Sequence, residues 1–296
     1  MQNFGPVYGK LREQKGFSIR ESATGTISPQ FLRKFEKGTS DIRLSNFIQL
    51  LYKSNISIVE FVNEFEDESI DYLIDDLEDR LDQIFTTNNL MQIKDLHKQY
   101  KELKEQSDDR KYEHLYQLIT YHYQRISGIP TDREKMFEEG TNYLRNVYQW
   151  GRYEFFLASY MVMPFSDEEL YSITAQIIRR QHKHDANKRH LLDFWLQVVN
   201  EFIRRENTKA AEHFLDLYFQ QISSGRLIKY MTYDTFANFL KGTILVSKDD
   251  PSGVTICKQI IDFYHDVLDN TSYANMLHKH LLRHIEDSNL ELDEHL

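Results

Sequence analysis

Residues 28–34, Ser-Pro-Gln-Phe-Leu-Arg-Lys, place a hydroxyl, an amide and two cations within two helical turns. That set has a definite chemistry. A glutamine amide can make two hydrogen bonds with the edge of adenine, and an arginine guanidinium two with guanine. Ser28, Gln30, Arg33 and Lys34 are therefore candidate base-reading residues, with Arg12, Lys15 and Arg43 as candidate phosphate contacts. The alternative is that they are solvated polar groups on a small helical domain. A second set with spacing for chemistry is His278, His280 and His284, the last two sharing a helix face. They lack the glutamate of an H-E-x-x-H zinc site, and a solvated amphipathic helix accounts for them, so no metal is expected. Neither G-x-x-x-x-G-K-[ST] nor G-x-G-x-x-G occurs, and the carboxylates form no identifiable acid–base pair. No catalytic residue, no cofactor and no enzyme activity are expected.

The elements that would hold residues 28–34 can be read locally. A first helix over about Pro6–Gln14 turns Val7 and Leu11 inward and closes at Lys15-Gly16. "SIRE" (18–21) is a capping box, starting a short second helix that stops at "TGT". Ser28 then caps a third helix with Pro29 at its first position, where the missing N–H costs nothing. Phe31, Leu32 and Phe35 supply its buried side and Gly38 ends it. Two short helices across a tight turn form a helix-turn-helix, whose second helix points its first turn at the major groove.

Five of the eleven glycines lie in the first 38 residues, so a head rich in turns precedes a body of long elements. Residues 1–66 carry nine Lys/Arg against seven Asp/Glu, and the remainder carries 27 against 39, within a net charge of −10. A mildly basic head on an acidic body fits nucleic acid at the head alone. One such head binds weakly, so two are expected on one duplex. The border is expected at 66/67, giving a DNA-binding domain over 1–66 and a helical domain over 67–296. The longest stretch free of charged residues, 155–166, contains Pro164 and falls short of the roughly 20 residues that span a bilayer, so no membrane partner is expected. The start, "MQNFGPVYGK", carries no signal-peptide pattern. Cys257 is the one thiol, which reads as a small buried hydrophobe and fits a reducing compartment.

Past residue 67 the apolar positions step by three and four, and no sustained alternation marks a strand. Three stretches beginning at 153, 194 and 236 share an apolar helix, a polar break and a second apolar helix. Tyr153, Phe194 and Phe236 correspond, as do Ile177, Tyr218 and Ile260. A helix-pair repeat of this length signals an α-solenoid of tetratricopeptide-like pairs; an irregular helical bundle is the alternative. The expected fold class is all-α.

"LREQKGFS", "FLRKFEKGTSDI" and "LLYKSNISIVEF" in the head, and "YLRNVYQWGRYEFFLAS" (143–159) in the body, resemble the Rgg/GadR/MutR regulators of streptococci and related bacteria. The resemblance spans the chain and is sharpest over the first 65 residues. It implies a cytoplasmic homodimeric transcription regulator with a helix-turn-helix and a repeat domain, switched by a short hydrophobic signalling peptide in quorum sensing. Tyr8 stands where many members carry Arg, and Arg33 where many carry Ser, both positions expected on the DNA-facing surface. With one thiol, a disulfide between paired heads is excluded.

Asparagine amides on the concave helices of a solenoid can pair with both backbone groups of an extended peptide. Asn200 and Asn238 are the candidates, with Arg152 for a ligand carboxylate and Tyr233 and Phe236 as groove walls. Helix-cap or exposed roles for the polar three, and core packing for the two aromatics, are the alternatives. A helical-repeat scaffold whose head docks a protein rather than DNA is the competing functional reading.

Overall fold

The turn between the two short head helices sets the whole N-terminal unit. In the computed structural model, which describes residues 3–64, 70–130, 132–180, 188–222 and 230–290, helix α1 covers Phe4–Gln14 and α2 covers Ile19–Ala23. Ser18 Oγ accepts from the Glu21 N–H at 3.2 Å, and the Glu21 carboxylate takes the Ser18 N–H at 2.8 Å. The chain then reverses through Gly25 at φ +73°, a conformation open to glycine at little cost. Ser28 caps α3 (Pro29–Glu36) by accepting the Phe31 N–H at 3.1 Å. Helices α4 (Leu44–Lys53) and α5 (Ile58–Asn63) complete the head, the latter opened by a second capping box, Ser57 with Glu60.

The head core is aromatic. Tyr8, Phe35 and Phe47 meet at centroid distances of 6.0–6.2 Å, and Phe47 meets Phe61 at 4.8 Å. Leu11, Leu32, Leu50 and Leu51 fill the space around them. Each such side chain contributes about 1.5–3 kcal/mol through burial. Phe31, expected inside, is half-buried. Tyr8 is fully buried, and its hydroxyl meets Ser54 Oγ at 2.8 Å, which in turn meets Ser22 Oγ at 2.9 Å. This corrects the expectation that Tyr8 faces DNA: a ring at the junction of α1, α3 and α4 is core, and the buried serines satisfy its hydroxyl.

The chain divides into two compact units, 1–77 and 78–296. The division falls within α6 (Ile70–Thr87), while the expected border at 66/67 lies outside the described residues. The second unit continues with α7 (Leu90–Gln106) and α8 (Arg110–Ile126), an antiparallel hairpin, then the short α9 (Arg133–Met136) and α10 (Glu138–Asn146). Three helix pairs follow: α11 (Arg152–Tyr160) with α12 (Asp167–Arg180), α13 (Lys188–Arg204) with α14 (Thr208–Leu217), and α15 (Met231–Val246) with α16 (Ser252–Asp262). Helix α17 (Thr271–Glu286) closes the array. One π-helical turn follows α14 at Tyr218–Ile222 and another follows α16 at Phe263–Val267.

The pairs stack as a repeat requires. Helix α11 packs on α13 and α13 on α15. Trp195, fully buried, donates its indole N–H to the Phe214 carbonyl at 2.9 Å, tying α13 to α14. Arg205 locks one pair to the next: it donates to Asp167 at 2.5 Å, to Glu201 at 2.8 Å, and to the Met163 and Phe165 carbonyls at 3.0 and 2.7 Å. Helices α15 and α16 touch backbone to backbone at Gly242 and Gly253, where a Cβ on Gly253 would fall 2.4 Å from the Gly242 oxygen. Cys257 is buried beside them, and burial pushes its thiol up to about 12. Among the described residues every regular element is helical, and no helix is long and apolar enough to cross a membrane. The architecture is all-α: a helix-turn-helix head followed by a solenoid of tetratricopeptide-like pairs.

Candidate nucleic-acid interface and ligand recess

Helix α3 is amphipathic by its spacing. Leu32 and Phe35 anchor it in the head core, which turns Gln30, Arg33 and Lys34 outward, all three exposed. Arg33, Lys34, Lys37 and Arg43 are exposed and make no ion pair among the described residues. The Ser28 hydroxyl is exposed as well, though its oxygen already serves as the helix cap. An amide and several unneutralised cations thus share the outer side of one short helix and its flanks, the arrangement needed for base-edge and phosphate contacts.

Two expected phosphate contacts are engaged elsewhere. Arg12 is a correction: its side chain is buried, donating to both Glu36 oxygens at 2.7 and 3.0 Å and to the Phe17 carbonyl at 2.5 Å. Glu36 lies across the core on α3, and the pair clamps α1 to that helix, so Arg12 is structural. Lys15 Nζ lies 2.9 Å from Glu60 Oε1, half-exposed, and that contact holds the Glu60 carboxyl below the usual range.

In the repeat unit, α11 begins at a well-anchored point. The Gly151 N–H donates to Glu154 Oε2 at 2.7 Å, the Tyr143 hydroxyl donates to Glu154 Oε1, and His114 Nδ1 meets the Tyr153 hydroxyl at 3.0 Å. Trp150 packs edge-on against Phe155 and Phe194. These contacts fix Arg152, whose Nε stands 3.4 Å from His190 Nε2. His190 Nε2 is also 3.3 Å from Glu78 Oε1, and Arg189 reaches Glu78 Oε2 at 3.3 Å. From α15 the Tyr233 hydroxyl donates to Asp193 Oδ2 at 3.3 Å. Burial first, and then the Glu78 charge, push the Asp193 carboxyl up to about 7.

The structure therefore gathers Arg152 and Tyr233 around a charged group that sequence reasoning missed: Glu78, Asp82, Arg189, His190 and Asp193. Asn200 is half-buried on α13 and, seven residues from Asp193, lies on nearly the same helix face. Asn238 lies apart from this group. It is five residues from Tyr233, hence turned about 140° away from the face that meets Asp193, and it is exposed with its amide donating to the Asp234 carbonyl of its own helix at 2.7 Å. Phe236 is half-buried, stacking on Phe239 at 6.3 Å and packing against the core around Cys257. Of "HKHDANKRH" (182–190), expected as an exposed loop, residues 182–187 lie outside the described residues, while 188–190 open α13 and His190 is buried. His280 and His284 meet at 4.8 Å, but His280 also rests on Phe239, and burial drives its imidazole down to about 4. That helix face is packed rather than solvated. No group of three metal-binding side chains occurs among the described residues.

Residues 94–279 match the family model for the C-terminal domain of the HTH-type transcriptional regulator Rgg. The whole chain is also similar to solved structures. A candidate transcriptional regulator from Listeria monocytogenes EGD-e superposes with a TM-score of 0.78 at 19% identity, covering 98% of this chain and 99% of that one. A cysteine-substituted form of the Streptococcus dysgalactiae SHP pheromone receptor Rgg2 gives 0.72 at 20% identity, covering 95% and 99%. A bacterial peptide pheromone–receptor complex, solved for its mechanism of gene regulation, gives 0.68 at 15% identity, covering 98% and 100%. At such identities these structures speak for the fold, whereas the family model spans well over half of the residues. Preceded by a helix-turn-helix and matched across its repeat unit, this chain belongs to the Rgg family of HTH-type transcriptional regulators.

Proposed function

We propose that the chain is a cytoplasmic, homodimeric regulator that binds double-stranded DNA through α3. A short hydrophobic signalling peptide, seated against the inner helices of the repeat unit, switches it in quorum sensing. The observation that carries the DNA reading is the outward set Gln30, Arg33 and Lys34 on a helix held by a tight turn. Arg33 and Lys34 have no acidic partner among the described residues, so their charge is available to DNA. The peptide reading is supported by the pheromone receptors whose fold the chain shares. Arg152, Tyr233 and Asn200 are its proposed ligand contacts, near the charged group of α6 and α13. A ligand can bias DNA binding only by favouring one arrangement of the chain over another.

The test is a gel shift on the DNA flanking the chain's own gene, run across a salt series. Affinity should fall steeply as salt rises, because phosphate contacts release counterions. Arg33→Ala should weaken the shift and leave peptide affinity in place. One observation favours the scaffold reading: Leu44, Ile48 and Tyr52 form an exposed apolar stripe along α4, a surface suited to protein. No shift even at low salt would decide for that reading.

A further inference from the structure

Three carboxylates converge inside the repeat unit. Glu78 and Asp82 stand one turn apart on α6, and Asp193 projects from α13. They are close enough that the Glu78 charge raises the carboxyl pKa of both others. Around them stand Arg189 and His190 from α13, Arg152 and Tyr160 from α11, and Tyr233 from α15, while Tyr273 from α17 feels the Asp82 charge.

Two observations show that this group is open at one edge and incompletely satisfied among the described residues. Asp82 is open to water, yet the surrounding protein desolvates it enough to raise its carboxyl. Asp82 thus stands at the accessible edge of a group otherwise enclosed by side chains of α11, α13 and α15. Glu78, in contrast, is nine-tenths buried, and its Oε2 accepts no hydrogen bond among the described residues, Arg189 standing at 3.3 Å out of line. His190, also buried, leaves Nδ1 without a hydrogen bond among the described residues. Among the described residues the three carboxylates face Arg152, Arg189 and His190. A buried carboxylate left short of a partner is strongly unfavourable.

We propose that this cluster seats a cationic group of the ligand, the free α-ammonium of the bound peptide, between Glu78, Asp82 and Asp193. The inference rests on the peptide reading and deepens it by assigning the amino end of the ligand to α6 and α13. A ligand lysine or arginine would offer the same chemistry from a side chain. The ammonium brings N–H donors to a cluster in which Glu78 Oε2 accepts none among the described residues, and its charge replaces the proton that Asp193 otherwise holds. Seating it therefore releases a proton near neutral pH.

The experiment uses the full chain and synthetic pools of eight-residue peptides of mixed Ile, Leu, Val, Phe and Gly. One pool has free amino termini, one is N-acetylated, and one is N-acetylated with a single internal lysine; calorimetry reads each. The free-amine pool should bind about tenfold or more tighter than the acetylated one, the order expected of a charge-assisted hydrogen bond. Its affinity should rise from pH 6 to pH 7.5 as Asp193 loses its proton. Asp193→Asn, or Asp82→Asn at the accessible position, should remove most of the difference. Recovery in the lysine pool would assign the seat to a side-chain cation and still support it. Equal binding of the free and acetylated pools, or a difference that survives both substitutions, overturns the cation seat and leaves peptide binding standing. No binding by any pool to folded protein overturns the peptide reading and the seat with it.

Discussion

Arg12 and Glu36, 24 residues apart, form a two-pronged ion pair inside the head, at 2.7 and 3.0 Å, with the arginine almost fully enclosed. The carboxylate raises the guanidinium pKa further. The pair fixes how α1 meets α3, and so fixes which side of α3 faces outward. Removing the arginine strands a largely buried carboxylate. Arg12→Ala is expected to cost about 3–5 kcal/mol of head stability. Urea unfolding should show that loss, while the slope of log affinity against log salt for the folded fraction stays as it was. A shallower salt slope with unchanged stability would return Arg12 to the DNA surface.

Arg33 and Lys34 are neighbours, yet their substitutions should differ. If Arg33 reads a base edge, Arg33→Ala costs about 1–3 kcal/mol on the preferred site and little on unrelated DNA. Lys34→Ala, removing a point charge, should weaken both alike and lower the salt slope by about one. Competition gel shifts with specific and random duplexes separate the two patterns.

Asp193 makes a prediction about acidity. Its carboxyl is raised from 3.8 to about 7, chiefly by burial. The folded state thus holds a proton that the unfolded state gives up. The stability this contributes is complete below about pH 4 and is lost as pH rises through about 7. Asp193→Asn abolishes that slope, so the gap in melting temperature between variant and parent should widen in the variant's favour from pH 5 to pH 8. A constant gap would mean that Asp193 is ionised throughout.

Arg205 is the lock between the first and second helix pairs counted from α11: besides Glu201 on α13 it donates to three acceptors in the 163–167 connection, Asp167 and the Met163 and Phe165 carbonyls. Arg205→Ala leaves two carbonyls and the buried Glu201 less well satisfied, although Arg204 still reaches Glu201. A loss of about 1–3 kcal/mol is expected, read as a lower midpoint in urea. Arg205→Lys, which cannot span the same fork, should recover little.

What could be read from the chain divides by distance along it. Ser18 with Glu21, and Ser28 with Pro29, declare helix starts within four residues, and both are as expected. The pairing of Tyr153, Phe194 and Phe236 was visible because a repeat restates its pattern. Arg12 was not, since its partner sits 24 residues on and nothing local marks Glu36 as facing inward. The charged group of α6 and α13 was missed for the same reason, because its parts come from two helices more than a hundred residues apart in the chain. A trace of it was present: Asp193 interrupts the apolar run "LLDFWLQVV", and a lone carboxylate there needs company. Asn238 shares a helix with Tyr233 but not its face, because each residue turns the helix by about 100° and the sequence alone does not say which face is inner.

The contact of Gly242 with Gly253 has a consequence for how this part of the chain can vary. A Cβ on Gly242 would lie 2.5 Å from Cys257 Sγ and 2.9 Å from the Gly253 oxygen, so no bulkier side chain can be offset by trimming its neighbour, which has nothing left to give. The two helices are keyed like a notch and tongue, with one axial setting. Motion at this end of the array must carry both rods together, as a block, because sliding one along the other would drive backbone into backbone.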